Sequence, residues 1–481
     1  MVAESYKVSN NHKKDLTESY ARKLGFSEDT LEILWATVDT LEEILVRNKV
    51  FEQSREWDHI GVKLQDGKVV FPDGFEKVAN EILRENQLYQ LFLPEEDGGL
   101  GFTQLMQGVL TETLAYHDTS LQILIMIGLS VLEPLILYRK PYFEDVIKDY
   151  ADGKRVSGYV GFTEPQAGSN LENVRSTSEK VGDEYVLNGT KIFISNGGYA
   201  ETGLFLARNM VDGKAQGTNV FLVKSLDNIE VLRLEEKSGL HASPTAQLRF
   251  ENVTVPEEAI IAEVGNGYSK VLERLMGMRV GVSFQSIAAA KRGYQLAKDY
   301  SETREQFGRK IGEFPQIQRK FEAMEKTIPR MEEYGLRAGY ALDRYIKGWV
   351  PAEVGANGKP SAEQTAAELV PGAARGGLVH YFGSSAKLYN SEIVNQMLYD
   401  ASQIFGGLGF VAESDVNRIT RDARVNSIYE GTSEIHSWLI GKTQKALSMM
   451  PNFMRPYQQY KEPTYYENIL FERFPEVREW I

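Results

Sequence analysis

One carboxylate in this chain keeps company suited to proton chemistry. Glu430 stands between Tyr429 and Gly431, with Ile428 just upstream. An aromatic ring and an aliphatic side chain strip water from a carboxylate. Desolvation raises its pKa towards the range in which a general base works well. Gly431 has no Cβ, so the backbone can come close to a ligand there. Taken alone, the triplet fits either a base or a helix end that carries a surface carboxylate.

Four other segments hold chemistry-bearing residues: Thr163-Glu164-Pro165-Gln166-Ala167-Gly168-Ser169-Asn170, then Phe193-Ile194-Ser195-Asn196, Arg304-Glu305-Gln306-Phe307-Gly308, and Gln403-Ile404-Phe405-Gly406-Gly407-Leu408-Gly409-Phe410. The first reads generically as a turn. The third reads as part of a helix, with an exposed charge and a core ring. Gly406-Gly407-Leu408-Gly409 and the similar Gly98-Gly99-Leu100-Gly101 lack the preceding strand of a βαβ unit. A dinucleotide fingerprint needs that strand, so both read as helix-ending turns. Arg279 reads as a helix arginine in a salt bridge. The six histidines are scattered without ligand-like pairing, which predicts no metal site.

These residues need a scaffold, and 481 residues could supply two or three domains with a large core. Hydrophobic residues at 42% and charged residues at 25% are those of an ordinary globular protein. A net charge of -13 argues against nucleic-acid binding, which needs a basic face. The chain has no cysteine, so disulfide and thiol chemistry are excluded, and its first residues have no apolar signal core. A cytoplasmic location is expected. The apolar run 121–138 is broken by Glu133 and Pro134 and reads as a buried helix rather than a membrane span. Helical spacing over 15–155 gives way to β-branched, partly alternating stretches over 156–257, then to helical texture again. The expected divisions are a helical domain with an extension (1–155), a β domain (156–257), a helical domain (258–448) with an inserted Gly/Pro-rich loop (350–376), and a C-terminal extension (449–481).

Together and in order, these segments and Ile428-Tyr429-Glu430-Gly431-Thr432 resemble the acyl-CoA dehydrogenase family over about residues 80–445. The resemblance implies an α+β, mostly helical fold: an N-terminal helical domain, a central β-barrel or sandwich, and a C-terminal four-helix bundle. It implies FAD as cofactor. Val160, Phe162, Thr163, Gly168 and Ser169 would line the flavin and pyrophosphate, and Phe193, Ile194 and Ser195 would cover the ring and reach N5. Gln403, Phe405, Gly406 and Gly407 would meet the pyrophosphate and adenine, with Thr432 and Glu434 nearby. Arg304, Gln306, Phe307 and Gln316 would reach the FAD of a neighbouring subunit, so a homodimer or homotetramer is implied. Ser169, Arg279, Tyr429 and Gly431 would contact the substrate. Two departures stand out. Pro315 precedes Gln316 where many members have glutamine directly, and Glu434 stands where many have glutamine.

By the same resemblance, Glu430 removes the α-proton of an acyl-CoA thioester and hydride leaves Cβ for flavin N5, giving the trans-2-enoyl-CoA. The thioester carbonyl would be polarised by the Glu430 backbone N–H and a ribityl hydroxyl. Electrons would pass to an electron-transfer flavoprotein, in fatty-acid or carboxylic-acid degradation. Residues 275–283 hold no carboxylate, unlike relatives with a base on that helix. The alternatives are an acyl-CoA oxidase using oxygen and a binding flavoprotein of the DNA-alkylation-response branch, which should be basic. A nitroalkane-oxidising relative uses Asp as its base, and Glu430 speaks against it.

Overall fold

The computed structural model describes residues 2–346, 372–447 and 462–478. Most of the expected inserted loop (350–371) and residues 449–461 of the C-terminal extension, with Tyr457 and Tyr460, lie outside the described residues. The rest of that loop, 372–376, is helical. In chain order the first helices are α1 Val2–Lys23, α2 Glu28–Arg47 and α3 Val50–Ile60, followed by strands β1 Lys63–Gln65 and β2 Lys68–Val70. Helices α4 Phe75–Glu85, α5 Gln104–His117, α6 Thr119–Leu137 and α7 Glu144–Ala151 come next. Then come β3 Tyr159–Gly161, β4 Thr177–Val181, β5 Glu184–Ser195, β6 Gly203–Val211, β7 Lys214–Val223, β8 Ile229–Leu234, β9 Thr245–Pro256 and β10 Ile260–Ile261. The remainder is α8 Gly267–Thr303, β11 Glu305–Gln306, β12 Arg309–Lys310, α9 Pro315–Ile346, α10 Gly372–Phe405, α11 Asp415–Ala423, α12 Ser433–Leu447 and α13 Tyr465–Arg473. The fold is α+β and mostly helical.

The described residues form two compact units, one drawn from Asp39–Phe102 and His117–Leu275, the other from Met1–Val38, Thr103–Tyr116 and Met276–Ile481. The first unit is built on an eight-stranded mixed sheet in the order β10-β7-β6-β4-β5-β9-β8, with β3 pairing parallel to β6. Its inward residues form one core, in which Leu187, Phe205, Phe221, Leu248 and Phe250 are at most 2% exposed. Helix α6 starts where the Asp118 side chain accepts from the Leu121 N–H at 2.6 Å. It runs through Glu133 and Pro134 to Leu137, so the apolar run is a full 19-residue helix. That is long enough to cross a membrane by length and composition, yet 78% of it is buried inside the fold. The region expected to be helical also contains the β1–β2 hairpin. Asp66 (φ 49°) and Gly67 (φ 75°) are both left-handed, the two-residue turn that Asp-Gly favours.

In the second unit α10 packs against α9, α11, α12 and α13. Tight approaches need glycine: a Cβ on Gly108 would lie 2.1 Å from the Phe284 ring. A buried ionic cluster joins α1, α5, α8 and α9. Glu112 receives Lys13 at 2.9 Å and Lys291 at 2.7 Å, and Lys291 also pairs with Glu332. All four residues are at most 5% exposed. Burial opposes the Glu112 charge, but Lys13 and Lys291 outweigh it and hold the carboxyl below its usual range. Removing one partner of a buried pair strands the other charges. Glu112→Gln is therefore expected to cost about 3–5 kcal/mol, read as a lowered midpoint in denaturant unfolding.

Candidate active site

Glu430 sits in the turn between a short 3-10 segment, Arg424–Ser427, and the start of α12. Its φ is 54° and that of Gly431 is 105°, so two consecutive residues leave the right-handed regions. A non-glycine residue in that conformation costs free energy and persists only where its surroundings enforce it. Here they do. Arg279 of α8 donates through Nε to the Glu430 carbonyl at 3.1 Å. Lys387 of α10 donates through Nζ to the Gly431 carbonyl at 2.7 Å. Past the turn, the Thr432 hydroxyl accepts from the Ile435 N–H at 3.4 Å and caps α12.

This turn holds the Glu430 carboxyl in a desolvated place. Burial pushes it up to about 7, against the pull of Arg279 and Lys387. Its Oε2 finds no hydrogen-bond partner among the described residues, and neither does the Gln285 Nε2, while the His436 ring faces the Glu430 and Gly431 backbone. Burial and the nearby Arg279 and Lys387 hold His436 well below its usual range, so it is neutral. The Tyr429 hydroxyl lies against the side-chain oxygens of Gln285 and Asn426. Arg279, 4% exposed, also reaches the Ser384 hydroxyl at 3.4 Å. The arrangement is a turn-held carboxylate of raised pKa with unpaired buried polar atoms, which suits proton abstraction from a bound polar substrate.

The β unit orders the other motif residues. Glu164 and Lys191 form a buried ion pair at 2.7 Å, with side chains 2% and 0% exposed. Glu164 also accepts from the Ser176 hydroxyl at 2.5 Å and its N–H at 3.0 Å, and Lys191 donates to the Leu206 carbonyl at 2.7 Å. Burial brings Lys191 down to about 8, with Glu164 opposing. The pair pins the Thr163–Ala167 turn to β5, and the Ile192 N–H donates to the Thr163 carbonyl at 3.0 Å. Gly168 and Ser169 stay exposed, Val160 is half-buried and Phe162 buried. The β5–β9 register slips between Lys191 and Ile194. That bulge gives Phe193 a φ of 57° and leaves its ring 61% exposed, while Ile194 is buried and Ser195 follows. An apolar ring held out beside hydroxyls and exposed backbone fits a planar ligand such as a flavin.

In the helical unit, Arg304, Gln306 and Phe307 do not lie within a helix. Arg304 follows the end of α8, and Gln306 is in the β11–β12 hairpin. Phe307 (φ 54°) and Gly308 (φ 77°) form its two-residue left-handed turn, leaving Phe307 94% exposed. Gln316 is exposed in the first turn of α9. Gln403 and Glu434 are exposed, and Phe405 stacks on Tyr300 at 4.4 Å. Gly406 and Gly407 have no atom within 4 Å of an added Cβ, whereas one on Gly409 would meet the Ser402 carbonyl at 2.3 Å. The first two glycines leave backbone open to a ligand; the third serves packing. No site role was expected of Lys387, and His436 stood only among the six scattered histidines. A lysine inside the apolar stretch Ala386-Lys387-Leu388-Tyr389 was the available signal.

The family profile for the acyl-CoA dehydrogenase middle domain matches residues 160–253, and that for the C-terminal domain matches 265–373 and 361–444. An acyl-CoA dehydrogenase of Bacillus subtilis is 29% identical over 411 residues, covering 84% of this chain and 98% of the relative. A short-chain specific acyl-CoA dehydrogenase of Clostridium acetobutylicum is 30% identical over 291 residues, covering 60% of this chain and 68% of the relative. The structure of butyryl-CoA dehydrogenase from Megasphaera elsdenii superposes with a TM-score of 0.69 at 25% identity, over 87% of this chain and 99% of that one. The chain belongs to the acyl-CoA dehydrogenase family. It is an oxidoreductase acting on acyl-CoA.

The left-handed turn has a direct test. A Cβ on Gly431 would lie 3.0 Å from the His436 Nε2 in a backbone conformation that disfavours it. Gly431→Ala is expected to fold, by circular dichroism, and to lose between ~10- and ~10²-fold in turnover of acyl-CoA, because displacing the base by a fraction of an ångström spoils its alignment.

Proposed function

We propose that this chain dehydrogenates an acyl-CoA thioester between Cα and Cβ to the trans-2-enoyl-CoA, with Glu430 as the α-proton base. The observation that carries the reading is the buried, unpartnered Glu430 Oε2 on a carboxyl raised to about 7. FAD is the cofactor, and when bound it supplies the hydride acceptor for the Cβ hydrogen. Thr163, Ser169, Phe193, Ser195 and the open backbone of Gly406 and Gly407 are the residues proposed to hold it. An electron-transfer flavoprotein is the proposed electron acceptor.

The chain's own part of the reaction is positional and electrostatic. The Glu430–Gly431 turn aims the carboxylate at the α-proton, and the Glu430 N–H polarises the thioester carbonyl. A base with a pKa near the working pH combines enough deprotonated form with enough affinity for the proton. Gln285 offers an Nε2 without a partner among the described residues to the substrate or to a water beside it.

Glu430→Gln keeps the shape and removes the base. Rapid mixing with the best acyl-CoA is expected to show flavin reduction slowed by ~10² to ~10⁴-fold with ligand binding retained. In the unsubstituted enzyme the same rate is expected to rise with pH through about 7, as Glu430 loses its proton. Near-normal reduction in the variant means that the base lies elsewhere.

The 94% exposed Phe307 supports a subunit contact, because an aromatic ring held out on a hairpin turn gains burial when another chain covers it. Phe307→Ser is expected to shift light-scattering mass from dimer or tetramer towards monomer and to weaken FAD retention. An unchanged mass assigns assembly to other surfaces.

A further inference from the structure

We propose that Lys387 is a positioning residue for the base: its ammonium holds the Gly431 carbonyl and so fixes the turn that presents the Glu430 carboxylate. This rests on the reading of Glu430 as the base. Lys387 lies mid-way along α10, 44 residues before Gly431, and is 0% exposed. A buried ammonium needs a strong acceptor, and the obvious one is Glu392 on the same helix. Both Glu392 oxygens are already engaged, by the Ser433 hydroxyl at 2.5 Å and by Arg473 at 2.5 Å. Arg473 comes from α13, beyond residue 444 where the family match ends. The Lys387 Nζ donates instead to the Gly431 carbonyl at 2.7 Å.

The charged and titratable groups facing the turn are Arg279 of α8, with Lys387 and Glu392 of α10. Among the described residues they are joined by His380 of α10 beside Arg279, Glu434 and His436 of α12 and the adjoining Tyr429. Arg279 holds the Glu430 carbonyl and Lys387 the next one, so two cations from two helices fix consecutive carbonyls of a strained pair. Burial brings Lys387 down to about 7, with Glu430 first among the groups that oppose the fall. Its cation is therefore sustained by the base that it serves.

The test compares Lys387→Gln, which removes the charge and keeps a donor, with Lys387→Met, which removes both. Each is studied as FAD-loaded enzyme beside Glu430→Gln, by flavin reduction with one acyl-CoA from pH 6 to pH 10. Both Lys387 variants are expected to move the base profile up by about one unit, since an opposite charge at close range is worth about that much. The rate at pH 7 then falls about fivefold and recovers at high pH, while KM stays within about twofold. Lys387→Met is also expected to lower the high-pH plateau, because the turn loses its donor. If only Lys387→Gln folds, its profile alone decides. An unmoved profile with Glu430→Gln still inactive overturns the role of Lys387 and leaves the base assignment standing. Normal reduction in Glu430→Gln overturns both.

Discussion

The site depends on a backbone conformation that the chain would not choose by itself. Glu430 and Gly431 take left-handed φ values in succession, and two buried cations accept the task of holding their carbonyls. Arg279 and Lys387 come from separate long helices, so the turn can be held only when those helices are packed. The same cations lie close enough to the Glu430 carboxyl to oppose the effect of its burial. Geometry and proton affinity at the base thus share one cause.

Buried charge recurs as the means of joining elements. Lys13, Glu112, Lys291 and Glu332 tie the first helix to three others. Glu164 and Lys191 pin a turn to a strand. Glu392 links α10 to the first residue of α12 and to Arg473. Each arrangement pairs its charges, as the cost of desolvation demands. Apolar packing brings the helices and strands together, and these pairs select which residues meet.

The sequence carried much of this. The change from helical to alternating texture near residue 156 marks the β sheet because side-chain periodicity follows backbone geometry. The Tyr429-Glu430-Gly431 triplet carried the base because its neighbours are apolar and its follower is glycine. Other features were harder to read. The Asp66-Gly67 turn had its usual signal inside a stretch that otherwise reads as helix. The Phe307-Gly308 turn had none, since phenylalanine is not a residue that favours a left-handed φ. Lys387 lies 44 residues from Gly431; its apolar neighbours in Ala386-Lys387-Leu388-Tyr389 hint at burial, but only tertiary packing brings the two together. His436, one turn into α12, reads as an ordinary helix residue until its ring is seen beside Gly431.

Burial raises the proton affinity of Glu430, and Arg279 and Lys387 keep that rise in check. Infrared difference spectroscopy of the carboxyl stretch, taken as unsubstituted enzyme minus Glu430→Gln across a pH titration, reads that affinity without turnover. The expected result is a protonated carboxyl band that disappears with a midpoint at about pH 7. A band that titrates in the ordinary glutamate range, near pH 4.5, would contradict it.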